Sequence, residues 1–252
     1  MTIPLYHAIA ANALDPVAIF TRAQTAWVQR TQPSFESFTL PCGETFLANQ
    51  CAAGATVQFI VRLGDGRTFA QTLDAQGRPA TILLRGGYAM GPAGAPFGFY
   101  RRAPRPGANA AAPPPNLAPD PLATIAVVAA VDHAYAVTLD GIVTLGAHAC
   151  YHLHLRPLRD AQAYPLRELW IDTATYDVRR LRYTWPYNDI TTDVTYDFAP
   201  IGPNAIWCIV HIDARAISHG LFTSHVEHVG EDLHDIAFPV NVPADDFEPT
   251  PR

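Results

Sequence analysis

The chain has 252 residues, of which 49% are hydrophobic and 16% are charged, a composition that can bury a sizeable core and that excludes a globally disordered protein. The formal net charge is −6, and every basic residue other than histidine is arginine, so no phosphate-tracking surface of a nucleic-acid-binding protein is predicted. The longest apolar run, residues 125 to 131, is much shorter than the ~18 residues of a membrane-spanning helix, and no such helix is predicted.

The first regular element is an amphipathic helix over residues 16 to 30. Asp15 followed by Pro16 is typical of a helix start, because the acid caps the free N–H groups and the proline has a preset φ. Apolar residues then recur at a spacing of three and four, at Val17, Phe20, Ala23 and Trp27. Thr31-Gln32-Pro33 ends the pattern.

Beyond the helix, the apolar period changes to two. Alternation is seen in residues 56 to 63, where Val57, Phe59, Val61 and Leu63 alternate with Thr56, Gln58, Ile60 and Arg62. Asp65-Gly66 is typical of a hairpin turn. Comparable runs continue to about residue 240. The pattern predicts a single mainly β domain over residues 1 to 252: a large curved antiparallel sheet, or half-barrel, of about ten strands with an N-terminal helix and a helical or loop lid.

Residues 86 to 121 interrupt this pattern with a segment rich in Pro, Gly and Ala that includes Pro113-Pro114-Pro115. The segment is too long for an ordinary loop. We interpret it as an insertion that forms a lid over the sheet. The alternatives are a linker between two halves of the chain, or a proline-rich ligand through which a surface module contacts a partner.

The four cysteines have no C-x-x-C spacing, so no zinc or redox motif is predicted. Cys42 and Cys51 could form a local disulfide across a hairpin, and Cys150 and Cys208 could pair across the sheet; buried free thiols are the alternative. Residues 1 to 14 lack the charged start of a secretory signal, so the chain is expected either to be cytoplasmic or to have lost its signal.

His152 and His154 lie on one face of a predicted strand, at a spacing that can chelate Zn²⁺ if a neighbouring strand supplies a third ligand such as His211 or Asp213. This motif supports an alternative function, that of a metal-dependent hydrolase. The other interpretation is a solvated strand face shared with Arg156. No G-x-S-x-G, H-E-x-x-H or G-K-[ST] motif is present, and no cofactor is predicted.

Three acidic residues, Glu168, Asp172 and Asp177, lie close together in the sequence and could act as paired carboxylates. They are interspersed with arginines, which favours surface ion pairs instead. The arginines at 179, 180 and 182 could also meet an anionic headgroup at the rim of a lipid cavity.

Two motifs carry a family resemblance: CYHLHLRP at residues 150 to 157 and LRELWID at residues 166 to 172. Together they resemble the second half of the LolA/LolB-like lipoprotein-carrier superfamily, in which a Y-x-L-x-L-x-P strand is followed by L-W-I-D-x-x-T. Asp172, Thr173 and Thr175 would lie in the turn after the second motif. The N-terminal helix, with residues 35 to 40 behind it, is similar in order to the family's opening elements.

The resemblance implies a non-enzymatic carrier whose concave apolar face holds the acyl chains of a lipid or a lipidated protein. It also implies a periplasmic or cell-surface location. We expect a monomer that binds no nucleic acid and meets a membrane or protein partner transiently. An ordinary filled core is the alternative for the predicted ligand-binding side chains, which are Phe20, Trp27, Trp170, Tyr183, Trp185, Phe198 and Trp207.

Overall fold

The computed structural model describes residues 14–30, 33–45, 47–63, 66–87, 131–159, 161, 164–187, 190–219 and 224–248, without the side chains of 131, 185–187, 190, 218–219 and 227. Within these ranges the α-helices are α1 (Pro16–Gln29) and α2 (Val131–Ala134). The strands are β1 (Phe35–Pro41), β2 (Thr56–Arg62), β3 (Thr68–Leu73), β4 (Pro79–Gly87), β5 (Tyr135–Leu145), β6 (His148–Pro157), β7 (Leu166–Asp172), β8 (Val178–Tyr187), β9 (Ile190–Ile201), β10 (Ile206–His219), β11 (Ser224–Asp232) and β12 (His234–Ala237).

The helix α1 is confirmed, and it ends one residue before the predicted position. The Asp15 side chain accepts a hydrogen bond from the Val17 N–H at 3.0 Å, and Pro16 follows this cap as the first helical residue. The buried stripe consists of Ile19, Phe20, Ala23 and Trp27. No helix in the described ranges combines the length and the apolar character needed to cross a membrane.

All strand pairs in the described ranges are antiparallel and fall into two sheets. The smaller has the order β12-β1-β2-β3-β4, and the larger has the order β11-β10-β9-β8-β7-β6-β5. The predicted alternation is confirmed in β2, where Val57, Phe59 and Val61 are buried and their neighbours are half-buried. Strand β4 was not predicted, because its first four residues are all exposed and show no alternation.

The chain passes directly from the larger sheet to the smaller one at a single residue, Leu233. Strand β11 pairs with β10, and after Leu233 the chain continues as β12, which pairs with β1. Buried residues of both sheets, α1 and α2 form one hydrophobic cluster. The expected mainly β fold, a curved antiparallel sheet with an N-terminal helix, is therefore confirmed. In the described ranges, β4 and β5 are edge strands that each pair on one side only, so the structure is not closed into a barrel.

The predicted insertion over residues 86 to 121 falls almost wholly outside the described residues. Only residues 86 and 87, the last two of β4, are described. The proposed lid, the linker alternative and the proline-rich ligand therefore stay predictions.

The predicted disulfide between Cys42 and Cys51 is present, with a Cα–Cα distance of 6.4 Å. The predicted pairing of Cys150 with Cys208 is wrong: both are free and buried. Cys150 lies on β6 and Cys208 on β10, four strands apart, and at ~4.8 Å per strand this separation far exceeds the ~7 Å limit for a disulfide. Burial raises the pKa of both thiols, so neither is a ready nucleophile.

Replacing both Cys42 and Cys51 with alanine is expected to lower the free energy of unfolding by about 2 to 3 kcal/mol, because the bridge closes a short loop in the unfolded chain. Urea denaturation followed by circular dichroism measures the change. A reductant should destabilise the wild type by a similar amount and leave the double variant unchanged. Equal stability of the oxidised wild type and the variant would contradict this expectation.

Candidate functional site

The inner face of the larger sheet is apolar, and α1 covers it. Tyr183, Val194, Tyr196, Phe198, Ile209 and Ile212 are buried on three neighbouring strands, β8 to β10. Trp27 of α1 packs edge-on against Phe198, with ring centroids 5.7 Å apart. This side of the sheet, here called the inner face, therefore presents a continuous apolar surface to the helix.

Five of the seven predicted ligand-binding residues lie between α1 and the larger sheet. Phe20, Trp27, Tyr183 and Phe198 belong to the buried cluster, and Trp207 packs against it. The Tyr183 and Tyr196 hydroxyls are 2.6 Å apart, so each tyrosine satisfies its polar atom in the interior. The structure thus brings these five side chains together; their contact with a ligand stays a prediction.

Trp170 is placed differently from the prediction. Successive side chains of a strand point to opposite faces. The two neighbours of Trp170 in β7, Leu169 and Ile171, are fully buried on the inner face. Trp170 instead stacks on His152 of the opposite face, with centroids 4.4 Å apart and an interplanar angle of 14°. The expectation that Trp170 lines the apolar face is therefore wrong. The side chain of Trp185, a residue of β8, lies outside the described part of the structure.

The helix α1 is attached to the turn between β7 and β8 by a set of side chains, here called the helix anchor, which consists of Arg22, Arg30, Tyr176, Asp177 and Trp207. Arg30 forms an ion pair with Asp177, and the Arg22 guanidinium donates a hydrogen bond to the Tyr176 hydroxyl at 2.8 Å. The Arg30 guanidinium also lies 4.5 Å from the centre of the Trp207 ring. The Trp207 indole N–H donates to the Val178 carbonyl at 3.0 Å, which fixes the orientation of the ring.

Asp172, in the motif that carries the family resemblance, shapes this turn. Its carboxylate accepts hydrogen bonds from the N–H groups of Ala174 and Thr175 at 2.9 and 3.2 Å and from Arg179 at 3.0 Å. Burial raises the pKa of Asp172, but these hydrogen bonds more than offset it and hold the pKa below its ordinary value. The turn ends at Tyr176, whose φ of 60° directs Tyr176 and Asp177 to their helix-anchor contacts.

The opposite, outer face of the larger sheet carries polar side chains. His152 and His154 are neighbours there, as predicted, with ring centroids 4.6 Å apart. Burial raises the pKa of Glu168, but its hydrogen bonds with His152 and Arg182 more than offset this effect, so the pKa lies below its ordinary value. The acid next to both histidines is Asp140 of β5, which sequence reasoning missed.

The predicted third metal ligand, His211, does not approach the histidine pair. It lies on β10, four strands from β6, and its Nδ1 is 2.6 Å from an Asp232 carboxylate oxygen. The other predicted ligand, Asp213, lies on the same strand and faces His228 at 2.8 Å. The His152, His154 and His211 set is therefore wrong, because the intervening strands separate its members.

The acids considered as catalytic partners form ion pairs with different arginines, as the alternative interpretation predicted, but Asp172 and Asp177 are buried and do not lie on the surface. The pairs are Glu168 with Arg182, Asp172 with Arg179 and Asp177 with Arg30. Arg180 is paired with Asp197. These carboxylates therefore stabilise the fold and anchor α1 instead of forming an acid–base pair.

Glu231 is a buried carboxyl group that sequence reasoning missed. It lies opposite Ile212 on the inner face, it is only 3% exposed, and neither carboxyl oxygen has a hydrogen-bond partner among the described residues. Burial, with a smaller contribution from Glu44, raises the pKa of Glu231 to about 7. The sequence carried one signal: Glu231 follows Val229 by two residues, and therefore shares its face of the strand.

This raised pKa predicts that the protein loses stability as the pH rises. Between the ordinary pKa of 4.5 and about 7, the folded state holds a proton that the unfolded state releases. The free energy of unfolding should therefore fall by about 3 kcal/mol over this interval and then level off. Glu231→Gln should remove this fall, which denaturant titrations at a series of pH values can measure; an unchanged pH profile would contradict the assignment.

No protein-family model matches the chain, and no curated protein matches its sequence. Among solved structures, the chain is similar to a LolA superfamily protein from Nitrosomonas europaea, with a sequence identity of 13% and a TM-score of 0.35. The match covers 94% of this chain and 99% of that chain. A DUF1329 family protein from Desulfovibrio piger has 12% identity, 93% and 98% coverage, and a TM-score of 0.38. A Vibrio parahaemolyticus domain named for outer membrane lipoprotein sorting has 11% identity, 90% and 95% coverage, and a TM-score of 0.35. The first of these proteins is named for the superfamily that residues 150 to 157 and 166 to 172 resemble.

Proposed function

We propose that the protein binds and carries a hydrophobic ligand, the acyl chains of a lipid or of a lipidated protein, on its inner face beneath α1, without changing the ligand chemically. The observation that carries the proposal is the continuous apolar surface between α1 and the larger sheet, which includes Phe20, Trp27 and Phe198. An acyl chain has no polar group along its length and requires such a surface.

The way in which α1 is attached supports its role as a movable cover. Within the described ranges, no backbone hydrogen bond joins α1 to either sheet. The helix is held by its apolar stripe and by the helix anchor, in which Arg30 contacts Asp177 and Trp207. Because these contacts all involve side chains, α1 can leave the sheet without breaking any strand pairing.

The magnitudes favour a long apolar ligand over a small polar one. The three large buried residues of the α1 stripe, Ile19, Phe20 and Trp27, represent roughly 5 to 9 kcal/mol of apolar burial, at about 1.5 to 3 kcal/mol for each side chain. An acyl chain gains ~0.8 kcal/mol for each buried CH₂, so roughly ten methylene groups offset the loss of the helix contacts. A small polar metabolite offers no comparable gain.

The proposal includes an oxidising compartment, the periplasm or the cell surface. The Cys42–Cys51 disulfide supports this location, because structural disulfides persist in oxidising compartments and are rare in the cytosol. Cell fractionation followed by mass spectrometry tests this location. The protein from its native compartment should lack the thiol hydrogens of Cys42 and Cys51, because these two residues form the disulfide. Fully reduced protein in the cytosolic fraction would contradict this part of the proposal.

Weakening the helix anchor should strengthen ligand binding. Asp177→Asn removes the partner of Arg30, so the open state costs less and the apparent affinity for a fluorescent acyl probe, dansylundecanoic acid, should rise about fivefold or more. The matched control is Asp74→Asn, which removes the exposed Asp74–Arg78 ion pair of the smaller sheet and should leave the affinity unchanged. Fluorescence titration of detergent-free protein measures both.

A diazirine-bearing fatty acid identifies the face that binds. After illumination and proteolysis, tandem mass spectrometry should assign the label to Trp27 of α1 and to inner-face residues such as Phe198 and Trp207, and an excess of unlabelled palmitate should suppress it. Outer-face residues such as Trp170 should stay unlabelled. Absence of saturable probe binding, or labelling confined to the outer face, would refute the carrier function.

A further inference from the structure

Asp140, His152 and His154 converge on the outer face, at the end of the larger sheet. The Asp140 Oδ2 atom is 3.4 Å from His152 Nδ1 and 3.6 Å from His154 Nε2. Ligand atoms in a tetrahedral zinc site, with bonds of about 2.0 to 2.1 Å, lie roughly 3.3 Å apart. The three side chains are therefore spaced as ligands of one ion, with all three ligand atoms within 4.8 Å of one another.

The hydrogen bonding of His152 prepares its Nδ1 atom as a ligand. Its Nε2 atom is 2.9 Å from a Glu168 carboxylate oxygen, and the other Glu168 oxygen accepts from Arg182 at 2.5 Å. In the neutral tautomer that donates its Nε2 hydrogen to the Glu168 carboxylate, Nδ1 is left as the ligand atom on the Asp140 side. A carboxylate on the far nitrogen is the usual orienting partner of a metal-bound histidine.

A β-bulge directs Asp140 into the cluster. Leu139 is opposite Leu153 and Gly141 is opposite His152, so Asp140 is the extra residue between them. Gly141 has a φ of 135°, a conformation that glycine adopts readily and that lets the strand bulge. Bulges commonly redirect side chains next to functional sites.

The charges around the cluster also favour a cation. Glu168 is paired with Arg182, whereas the side chains that face the Asp140 carboxylate in the described structure are the two imidazoles. Asp140 is 62% exposed, so an ion can reach it from solvent. An ion placed between the Asp140 carboxylate and an unprotonated Nδ1 atom of His152 would be coordinated by both.

We propose that Asp140, His152 and His154 form a binding site for one divalent transition-metal ion of the zinc class, with Glu168 and Trp170 as positioning residues and water at the remaining coordination position. Two imidazoles and one carboxylate suit Zn²⁺, Ni²⁺ or Cu²⁺ better than Mg²⁺ or Ca²⁺, which prefer oxygen ligands. The site goes beyond the proposed carrier function, because it lies on the face opposite the apolar interior.

Calorimetric titration of the chelator-treated full-length protein with Zn²⁺ tests the site. We expect one equivalent to bind, with an accompanying rise in the melting temperature because the ion links β5 to β6. Asp140→Asn and His154→Ala, which both replace solvent-accessible side chains, should each weaken the affinity roughly tenfold or more. Millimolar Mg²⁺ should not compete.

His228→Ala is the matched control, because His228 faces one carboxylate, Asp213, on the same outer face, and among the described residues the two belong to no group of three side chains spaced as metal ligands. Its zinc affinity should equal that of the wild type. The proposal is overturned if the wild type binds no stoichiometric zinc, if both site variants bind it as tightly as the wild type, or if the control loses it equally. Circular dichroism spectra verify that each variant is folded.

Discussion

Burial of apolar side chains between α1 and the larger sheet is the interaction on which the rest of this structure depends. Strand residues alternate between two faces, so placing Tyr183, Phe198 and Ile212 inside forces their neighbours outside. The outer face consequently carries charged side chains and histidines, whose burial in the interior would be costly. The proposed ligand surface and the proposed metal site are therefore the two sides of one pleated sheet.

The same burial explains why the helix anchor consists of side chains. A helix satisfies its own backbone, so α1 can be attached only through its apolar stripe and through groups at its surface. Asp172 arranges the turn that presents Tyr176 and Asp177 to α1. The motif that resembles the carrier family thus acts on the contact between helix and sheet, the contact that must open in the proposed function.

The junction of the two sheets lies next to a buried carboxyl group. The chain passes from β11 to β12 through Leu233, and the inner-face residue two positions earlier is Glu231. A carboxyl group buried without a partner is stable chiefly in its neutral form, since desolvation penalises the charge. Proton binding at Glu231 is therefore coupled to the integrity of the interior next to this junction.

Much of this protein was determined by local sequence patterns. The Asp15-Pro16 start and the spacing of Phe20, Ala23 and Trp27 specified α1, and the alternation of strands such as β2 specified a mainly antiparallel β fold. The sequence also placed His152 and His154 on one face and suggested the Cys42–Cys51 bridge, because both features depend on residues a few positions apart.

Strand order, bulges and face assignment were decided by the tertiary structure. His211 and Cys208 are four strands away from their expected partners, a separation that no local spacing reveals. Trp170 faces outward because Leu169 and Ile171 occupy the inner positions, and Asp140 reaches the histidines through a bulge. Periodicity along a strand indicates which residues share a face. The neighbours across the sheet depend instead on pairings between distant segments, and those pairings are fixed only when the whole core packs.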